Sequence, residues 1–456
     1  MPRFPRLLPA VLALAALDVQ AQTPSRDALV RKLDSLANAP VAEGRAVGLT
    51  VAVVKGNDTL LLKGFGKSDL EWNIATPTDA VYEIGSITKQ FTAAAILQLR
   101  DDGKLSLDDE LTKYLPDFPT HGNKIILRRL LDHTSGIKGI TEIPAFRALS
   151  LTMYPRDSAL ALIKRTPPQF GPGEAMVYNN SAFWLLGLVV EKASGMTYED
   201  YVEKKIFAPL GMRRSMYCNL GEVVDRRAHG YEYRGTEVRR APLNIHTWPF
   251  SAGSLCSTAG DMVTWLRALH GGKVLTPRSY AEMIAPSKLN DGTPLRYAMG
   301  LSVGADIRGL KMIGHGGGIT GFVSEASWYP DAQMAVVVVM NSAGPISPAA
   351  IASELAGTVL PWTPPAAKAF VGDATPLVGK YSGPARGPDM TIEVTSTAQG
   401  IALSANGTPA RPVQWVDAWT FRQGNTFVTF KRGGPMGPAT ELRFDTGGGL
   451  FVLKRQ

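Results

Sequence analysis

Two hairpin signals stand at opposite ends of a long helical stretch, and any fold for this chain must accommodate both. Near the start, apolar runs over residues 48–54 and 59–65 flank the turn sequence Lys55-Gly56-Asn57-Asp58. Much later, residues 322–329 and 334–340 flank Pro330-Asp331-Ala332-Gln333, and residues 348–359 then carry a helical pattern. Between the pairs, helical signals dominate, notably over residues 86–99, 182–193 and 259–270. Strands at both ends with helices between specify an α+β arrangement: one antiparallel sheet flanked by helices, with a helical subdomain.

The rest of the chain frames this unit. Residues 1–21 read as a cleavable secretory signal, with Arg3 and Arg6 ahead of an apolar core and Val19-Gln20-Ala21 at its end. The expected compartment is a periplasm or the exterior. No later segment is long and apolar enough for a transmembrane helix. The roughly 430 residues that remain exceed one ordinary core. Leu360-Pro361-Trp362-Thr363-Pro364-Pro365 opens a linker over 361–371, which separates a unit at 22–360 from one at 372–456. In the latter, short alternating runs at 390–394, 426–431, 441–444 and 450–454, divided by Gly, Pro and Asn, predict an all-β barrel or sandwich. Losing Arg3, Arg6 and Asp18 takes the formal net charge from +8 to +7, and no basic run is interleaved with aromatics. Nucleic acid is therefore not an expected partner. Two cysteines, Cys218 and Cys256, allow at most one bridge and leave its presence open.

Three short patterns carry chemistry, and each occurs twice. Ser86-Ile87-Thr88-Lys89 begins a strong helical run, which puts Lys89 one turn from Ser86; Ser135-Gly136-Ile137-Lys138 is broken by glycines and reads as a turn. A hydroxyl nucleophile needs a base, and a lysine serves once burial and nearby positive charge have lowered its pKa. For an isolated pair of this kind, a serine that merely caps its helix is the ordinary explanation. Tyr178-Asn179-Asn180 sits at a helix entrance, whereas Tyr217-Cys218-Asn219 lies in a polar loop. A phenol there can move a proton, and Asn180 can meet a substrate carbonyl. His270-Gly271-Gly272 ends a helix; His315-Gly316-Gly317-Gly318 precedes the late hairpin, where glycines allow close approach and the Gly318 N–H can serve an oxyanion. The site residues are thus Ser86, Lys89 and Tyr178 for catalysis, with Asn180, His315, Gly317 and Gly318 for substrate. No GxSxG elbow, phosphate-binding loop, dinucleotide fingerprint or zinc spacing among the six histidines is present, so no cofactor or metal is implied.

Together these residues resemble the serine β-lactamase and penicillin-binding superfamily, in its class C, D-aminopeptidase and esterase branch, over roughly residues 30–360. The phrases Tyr82-Glu83-Ile84-Gly85-Ser86, Leu130-Leu131-Asp132-His133-Thr134-Ser135-Gly136 and Ser251-Ala252-Gly253-Ser254 strengthen it, the latter two with an architectural role and His133 as structural. The resemblance implies acylation of Ser86, proton transfer shared by Lys89 and Tyr178, and hydrolysis of a small-molecule or short-peptide amide or ester. β-Lactamase activity, or a penicillin-binding sensor or ligand-binding protein without turnover, is the alternative. His315 stands where β-lactamases and carboxypeptidases place a lysine, which shifts the expectation toward aminopeptidase-like and esterase-like members. The C-terminal barrel resembles the lipocalin-like domains appended to some of these hydrolases.

Overall fold

The computed structural model describes residues 25–146, 150, 152, 154–363, 368–398, 400–434 and 437–456. The signal segment at 1–21 lies outside the described residues, as do positions 364–367 of the expected linker. Among the described residues no helix is long and apolar enough to cross a membrane.

Both hairpin signals join one sheet. Its seven strands run in the order Ser302–Ala305, Lys311–Ile319, Phe322–Tyr329, Met334–Met340, Gly48–Lys55, Asp58–Asp69 and Ile74–Ala75. The two hairpins meet where Gly48–Lys55 pairs antiparallel with Met334–Met340, Val51 facing Val338. Met-Ala-Val-Val-Val-Val-Met is apolar at every position because both faces of that strand are covered. Val336 and Val338 pack with Leu33, Ala37, Ile351 and Leu355 from the helices Arg26–Ala42 and Pro348–Val359. Ala335, Val337 and Val339 face the helical region instead, with Phe91, Met262 and Trp265.

At the centre of that region lies the helix Thr88–Asp101, buried almost all round rather than on one apolar face. Its polar residues find partners inside: Thr92 Oγ1 donates to the Ser251 carbonyl at 2.6 Å, and Trp265 Nε1 donates to Gln90 Oε1 at 2.7 Å. The helix Asn180–Ser194 packs against it, capped at its start by Asn179, whose side chain accepts from Ala182 N. Cys218 and Cys256 are joined by a disulfide, which settles the question their number left open. It ties the short strands Met216–Tyr217 and Leu255–Ser257, so Tyr217 sits in a strand rather than in the loop expected for it.

From Gly379 onward the chain forms a nearly closed antiparallel barrel. Strands follow one another as a meander from Gly379–Gly383 to Gly449–Arg455, and these first and last strands pair, Tyr381 facing Arg455. The alternating pattern exposed only four of its strands; five more, among them Gly400–Ala405 and Thr420–Gln423, are short and bounded by turns. Tyr381, Ile392, Leu403, Phe421, Phe430 and Leu453 fill the interior. The last strand reaches beyond the barrel: Gly449 pairs with Val177 and Leu450 with Met176, so the two residues before Tyr178 extend the barrel's sheet. Arg296 reinforces this junction with paired hydrogen bonds to Asp445, at 2.9 and 3.0 Å.

Candidate active site

Ser86 lies in a 3₁₀ turn, Gly85–Ile87, that runs into the helix beginning at Thr88. The helix N-cap is Ile87 and no side chain caps it, so Ser86 is not a capping serine. Gly85 adopts a φ of +52°, and a Cβ there would lie 2.8 Å from Gly318 N. The turn is thereby pressed against the glycine strand, and Ser86 and Gly318 border one cavity of about 230 Å³.

Lys89 Nζ is fully buried and touches three oxygens: Ser86 Oγ at 3.1 Å, Asn180 Oδ1 at 2.8 Å and the Ala252 carbonyl at 2.7 Å. The last two can only accept, so they commit two of the amine hydrogens. In the neutral amine the remaining tetrahedral direction, a lone pair, points at the Ser86 hydroxyl. Burial, aided by the positive charge of Arg386, pushes the Lys89 pKa well below its ordinary value. Asn180 is free for this contact because its neighbour Asn179 does the capping; its Nδ2 donates to Thr141 Oγ1 at 3.2 Å.

The Tyr178 ring covers the same amine, its centroid 4.8 Å from Lys89 Nζ. Burial pushes the phenol pKa up, while Ser86 and Arg386 act against it. Its hydroxyl is shielded from solvent and makes no hydrogen bond of normal geometry. Behind the ring stands a buried chain of fixed direction. Asn179 N–H donates to His133 Nδ1 at 3.1 Å, so His133 carries its proton on Nε2, 3.1 Å from Tyr297 OH. Tyr297 then donates to His315 Nε2 at 3.0 Å, and His315 Nδ1 donates to the Gly316 carbonyl at 2.5 Å. Burial, with the nearby Lys89 charge, lowers the His315 pKa to about 3, and His133 is pushed well below its ordinary value for the same reasons.

The structure therefore brings Ser86, Lys89, Tyr178, Asn180 and Gly318 together and places the other two residues differently. His315 lines a second cavity of about 260 Å³, with Tyr178, Tyr297, Arg296 and Glu325. Gly317 faces the Ile84 backbone, where a Cβ would lie 2.0 Å from the carbonyl oxygen. Ser135 occupies a turn, as its glycines imply, with Gly136 at φ +76°. His270 does end its helix, but burial lowers its pKa to about 3 and it stacks on Trp328 as a neutral ring, so it offers the helix dipole no charge.

Two participants, Tyr297 and Arg386, were missed from sequence, and two others, His133 and Ala252, were given architectural roles only. His133 packs directly on Tyr178 with ring centroids 4.4 Å apart. Tyr297 carries no recognisable pattern, and Ala252 lies in the phrase Ser251-Ala252-Gly253-Ser254, read above as architectural. Arg386, from the barrel, lies 5.3 Å from the centroid of the Tyr178 ring. His133 and Phe250, the residue two before Ala252, both hold positive φ angles, +61° and +40°, unusual for non-glycine residues.

For a metal, Asp69, Glu71 and His229 place ligand atoms within 4.8 Å of one another. They are engaged already: His229 Nδ1 lies 3.0 Å from Asp69, Glu71 accepts from Tyr231, and Arg240 stands 3.5 Å from Glu71. None of the three borders the cavity at Ser86.

Comparison with known proteins agrees with this fold. The family model described as Beta-lactamase matches residues 33–359. Penicillin-binding protein 4* of Bacillus subtilis is 26% identical over 306 residues, 64% of this chain and 67% of that protein. The putative penicillin-binding protein PbpX of the same organism is 32% identical over 254 residues, 56% of this chain and 61% of that one. The chain thus spans about two thirds of the length of the relatives it matches. Among solved structures, a D-stereospecific amidohydrolase from Streptomyces superposes with a TM-score of 0.61 at 28% identity, covering 73% of this chain and 98% of its own. SurE has the same fold at 21% identity and a TM-score of 0.66, and it covers 95% of this chain, barrel included, and 100% of its own. From Leu33 to Val359, with a half-buried serine held by a buried lysine beside a tyrosine, the chain belongs to the β-lactamase family of serine hydrolases.

Proposed function

We propose that Ser86 is the acylated nucleophile of a secreted hydrolase acting on a small peptide, amide or ester. The carrying observation is the three-oxygen environment of Lys89 Nζ, which aims the lone pair of a neutral amine at Ser86 Oγ. Neighbouring titratable groups whose environments push their pKa values apart mark base and acid. Lys89 is pushed down and Tyr178 up, so Lys89 takes the proton and Tyr178 gives one.

As Ser86 Oγ attacks the carbonyl carbon, its proton passes to Lys89. The backbone N–H groups of Ser86 and Gly318 stabilise the oxyanion. The carbon–nitrogen or carbon–oxygen bond breaks, Tyr178 protonates the leaving atom, and Lys89 restores the proton to Tyr178. Water then repeats the sequence to release the acid. Asn180 orients both Lys89 and the substrate amide.

Ile140, Phe146, Ile245, Trp248 and Ile319 make the cavity wall apolar, which suits an apolar acyl group. The 28% identical amidohydrolase supports amide cleavage. The disulfide and the leader sequence support action outside the cytoplasm. The barrel is lipocalin-like in its meander, but its filled interior argues for an accessory role rather than for carrying a ligand.

Turnover of p-nitrophenyl phenylacetate by the parent protein and by Ser86→Ala tests the reading. A burst of one nitrophenolate per chain, absent from Ser86→Ala, is expected. Equal turnover by the two proteins overturns it.

A further inference from the structure

We infer that Glu325 binds a charged amine carried by the leaving group, so that the substrate class is an amide whose departing amine bears a second, protonated amino group. This deepens the reading of Ser86 and Tyr178 given above and rests on it.

Two cavities divide the residues of the site. Ser86, Asn180 and Gly318 border the cavity of about 230 Å³, whereas Tyr178, His315 and Gly316 border the one of about 260 Å³. Ser86 takes the acyl group and Tyr178 protonates the leaving atom, so the second cavity receives the departing group. It exists because the sheet is open there. The edge strand Ser302–Ala305 pairs with residues 311–314 only, so among the described residues that edge of the glycine strand has no paired neighbour from His315 onward.

Gly316 brings the open edge to Glu325. A Cβ on Gly316 would lie 3.1 Å from Glu325 Oε2, so that oxygen stands beside the bare backbone of the strand. Glu325 is only 6% exposed, and its other oxygen accepts from Ser327 Oγ at 2.7 Å. Among the described residues Oε2 receives no hydrogen bond and no cation pairs with this carboxylate. A buried charge without a partner is costly, and an ammonium supplies both the opposite charge and N–H donors.

The other walls leave that charge uncompensated. The Arg296 guanidinium also borders the cavity, but it is held by Asp445 and Asn425. His315 is kept neutral by burial. Asp306 borders the cavity too and accepts from four uncharged donors, the N–H groups of Arg308 and Leu310 and the hydroxyls of Tyr329 and Ser353. Burial, reinforced by the Asp306 charge, pushes the Glu325 carboxyl up to about 7, and a bound ammonium favours its ionised form. A metal ion is a poorer occupant, because it needs several ligands and both His315 ring nitrogens are taken, by Tyr297 and the Gly316 carbonyl. Hydrolysis of such an amide gives the carboxylic acid and a free diamine, the leaving nitrogen taking its proton from Tyr178.

The test uses the mono-phenylacetamides of 1,2-diaminoethane through 1,5-diaminopentane, each paired with the alkylamide in which a methyl group replaces the ammonium. At pH 8 the full-length protein should favour the charged member of the best-fitting pair in kcat/KM by about 10-fold or more, and Glu325→Gln should lower that preference by about 10- to 100-fold. The same comparison read as Kd in Ser86→Ala and in the Ser86→Ala, Glu325→Gln double variant needs no turnover. A failure of the nucleophile assignment therefore stays separate from a failure of this one. Should Glu325→Gln fail to fold, the preference in the parent protein and in Ser86→Ala decides. A charged member favoured at no chain length overturns the proposal, and so does a preference that Glu325→Gln leaves intact in both measurements.

Discussion

Replacing Gly317 by alanine separates a steric role from a chemical one. The strand Lys311–Ile319 passes Ile84 so closely that a Cβ on Gly317 would lie 2.0 Å from the Ile84 carbonyl oxygen and 2.2 Å from Ser324 Oγ. Ordinary contact begins near 3.4 Å, so the backbones must part by more than 1 Å. Neither neighbour can turn aside: Ser324 Oγ donates to that same carbonyl at 3.0 Å, and Ile84 N is bonded to the Leu255 carbonyl at 3.0 Å. Overpacking of this kind costs about 1–3 kcal/mol. The displacement falls on residues 84–86 and hence on Ser86, and a misplacement of about 1 Å at a reacting group costs about 100-fold in rate. Gly317→Ala should therefore lower the thermal midpoint by several degrees and kcat/KM on p-nitrophenyl phenylacetate by about 100-fold. Gly318→Ala is the counterpart, since a Cβ there meets nothing within 4 Å. It should keep the midpoint and lose turnover, because its methyl enters the cavity beside Ser86. Calorimetry and steady-state kinetics on both variants decide. A Gly317→Ala protein with parental midpoint and activity refutes the idea that this strand holds Ser86 in place.

Lys89→Ala removes the base and leaves Asn180 Oδ1 and the Ala252 carbonyl without their donor, so kcat/KM should drop by about 100-fold or more; a drop below threefold would transfer the role of base elsewhere. Cys218→Ser with Cys256→Ser opens a loop of 38 residues, for which chain entropy gives a loss of about 4 kcal/mol, read as a lower urea midpoint without reductant. Acid should destabilise the protein through its buried histidines. His270 and His315 are held near 3 and His133 also well down, whereas the unfolded chain binds their protons from about 6.5. The stability that these histidines contribute is thus complete above pH 6.5 and falls as pH drops toward 3, by about 1.4 kcal/mol per unit for each histidine that stays neutral in the folded protein. Glu325, pushed up to about 7 by burial, opposes this between pH 7 and 4.5, while Lys89, pushed well down, adds to it, so acid is expected to destabilise the protein on balance. Urea midpoints at pH 7 and pH 5 measure it, and an equal or higher midpoint at pH 5 contradicts it.

What the sequence exposes, and what it hides, follows from the range of each interaction. The hairpins at 48–65 and 322–340 are local and apolar, so period and turn residues reveal them, and the all-apolar strand 334–340 announces a doubly covered position. The Ser86–Lys89 spacing is local too, and it separates from Ser135–Lys138 on glycine content alone. Asn180 is harder, because one of two adjacent asparagines caps the helix, and only the structure shows that it is Asn179. The Ala252 carbonyl is invisible in principle, since any residue supplies one. Arg386 is hidden for a further reason: it lies in Gly383-Pro384-Ala385-Arg386-Gly387-Pro388, an ordinary loop sequence. Long-range contacts that no periodicity encodes, the pairing of residues 176–177 with 449–450 and the bonds of Gln169 and Glu142 to Ala385 and Gly387, bring that loop to Tyr178.

The two neutral histidines and the distant arginine are parts of one electrostatic solution. Lys89 must surrender its proton while Tyr178 keeps its own, and burial drives both in the required directions. A fixed cation in place of His133 or His315 would depress Lys89 further, but it would equally lower the Tyr178 pKa and favour a resting phenolate with no proton to give. Neutral rings with tautomers fixed by backbone partners hold Tyr178 without that penalty. The barrel takes part in this balance, since the Arg386 charge, 5.3 Å from the centre of the Tyr178 ring, adds to burial in lowering Lys89.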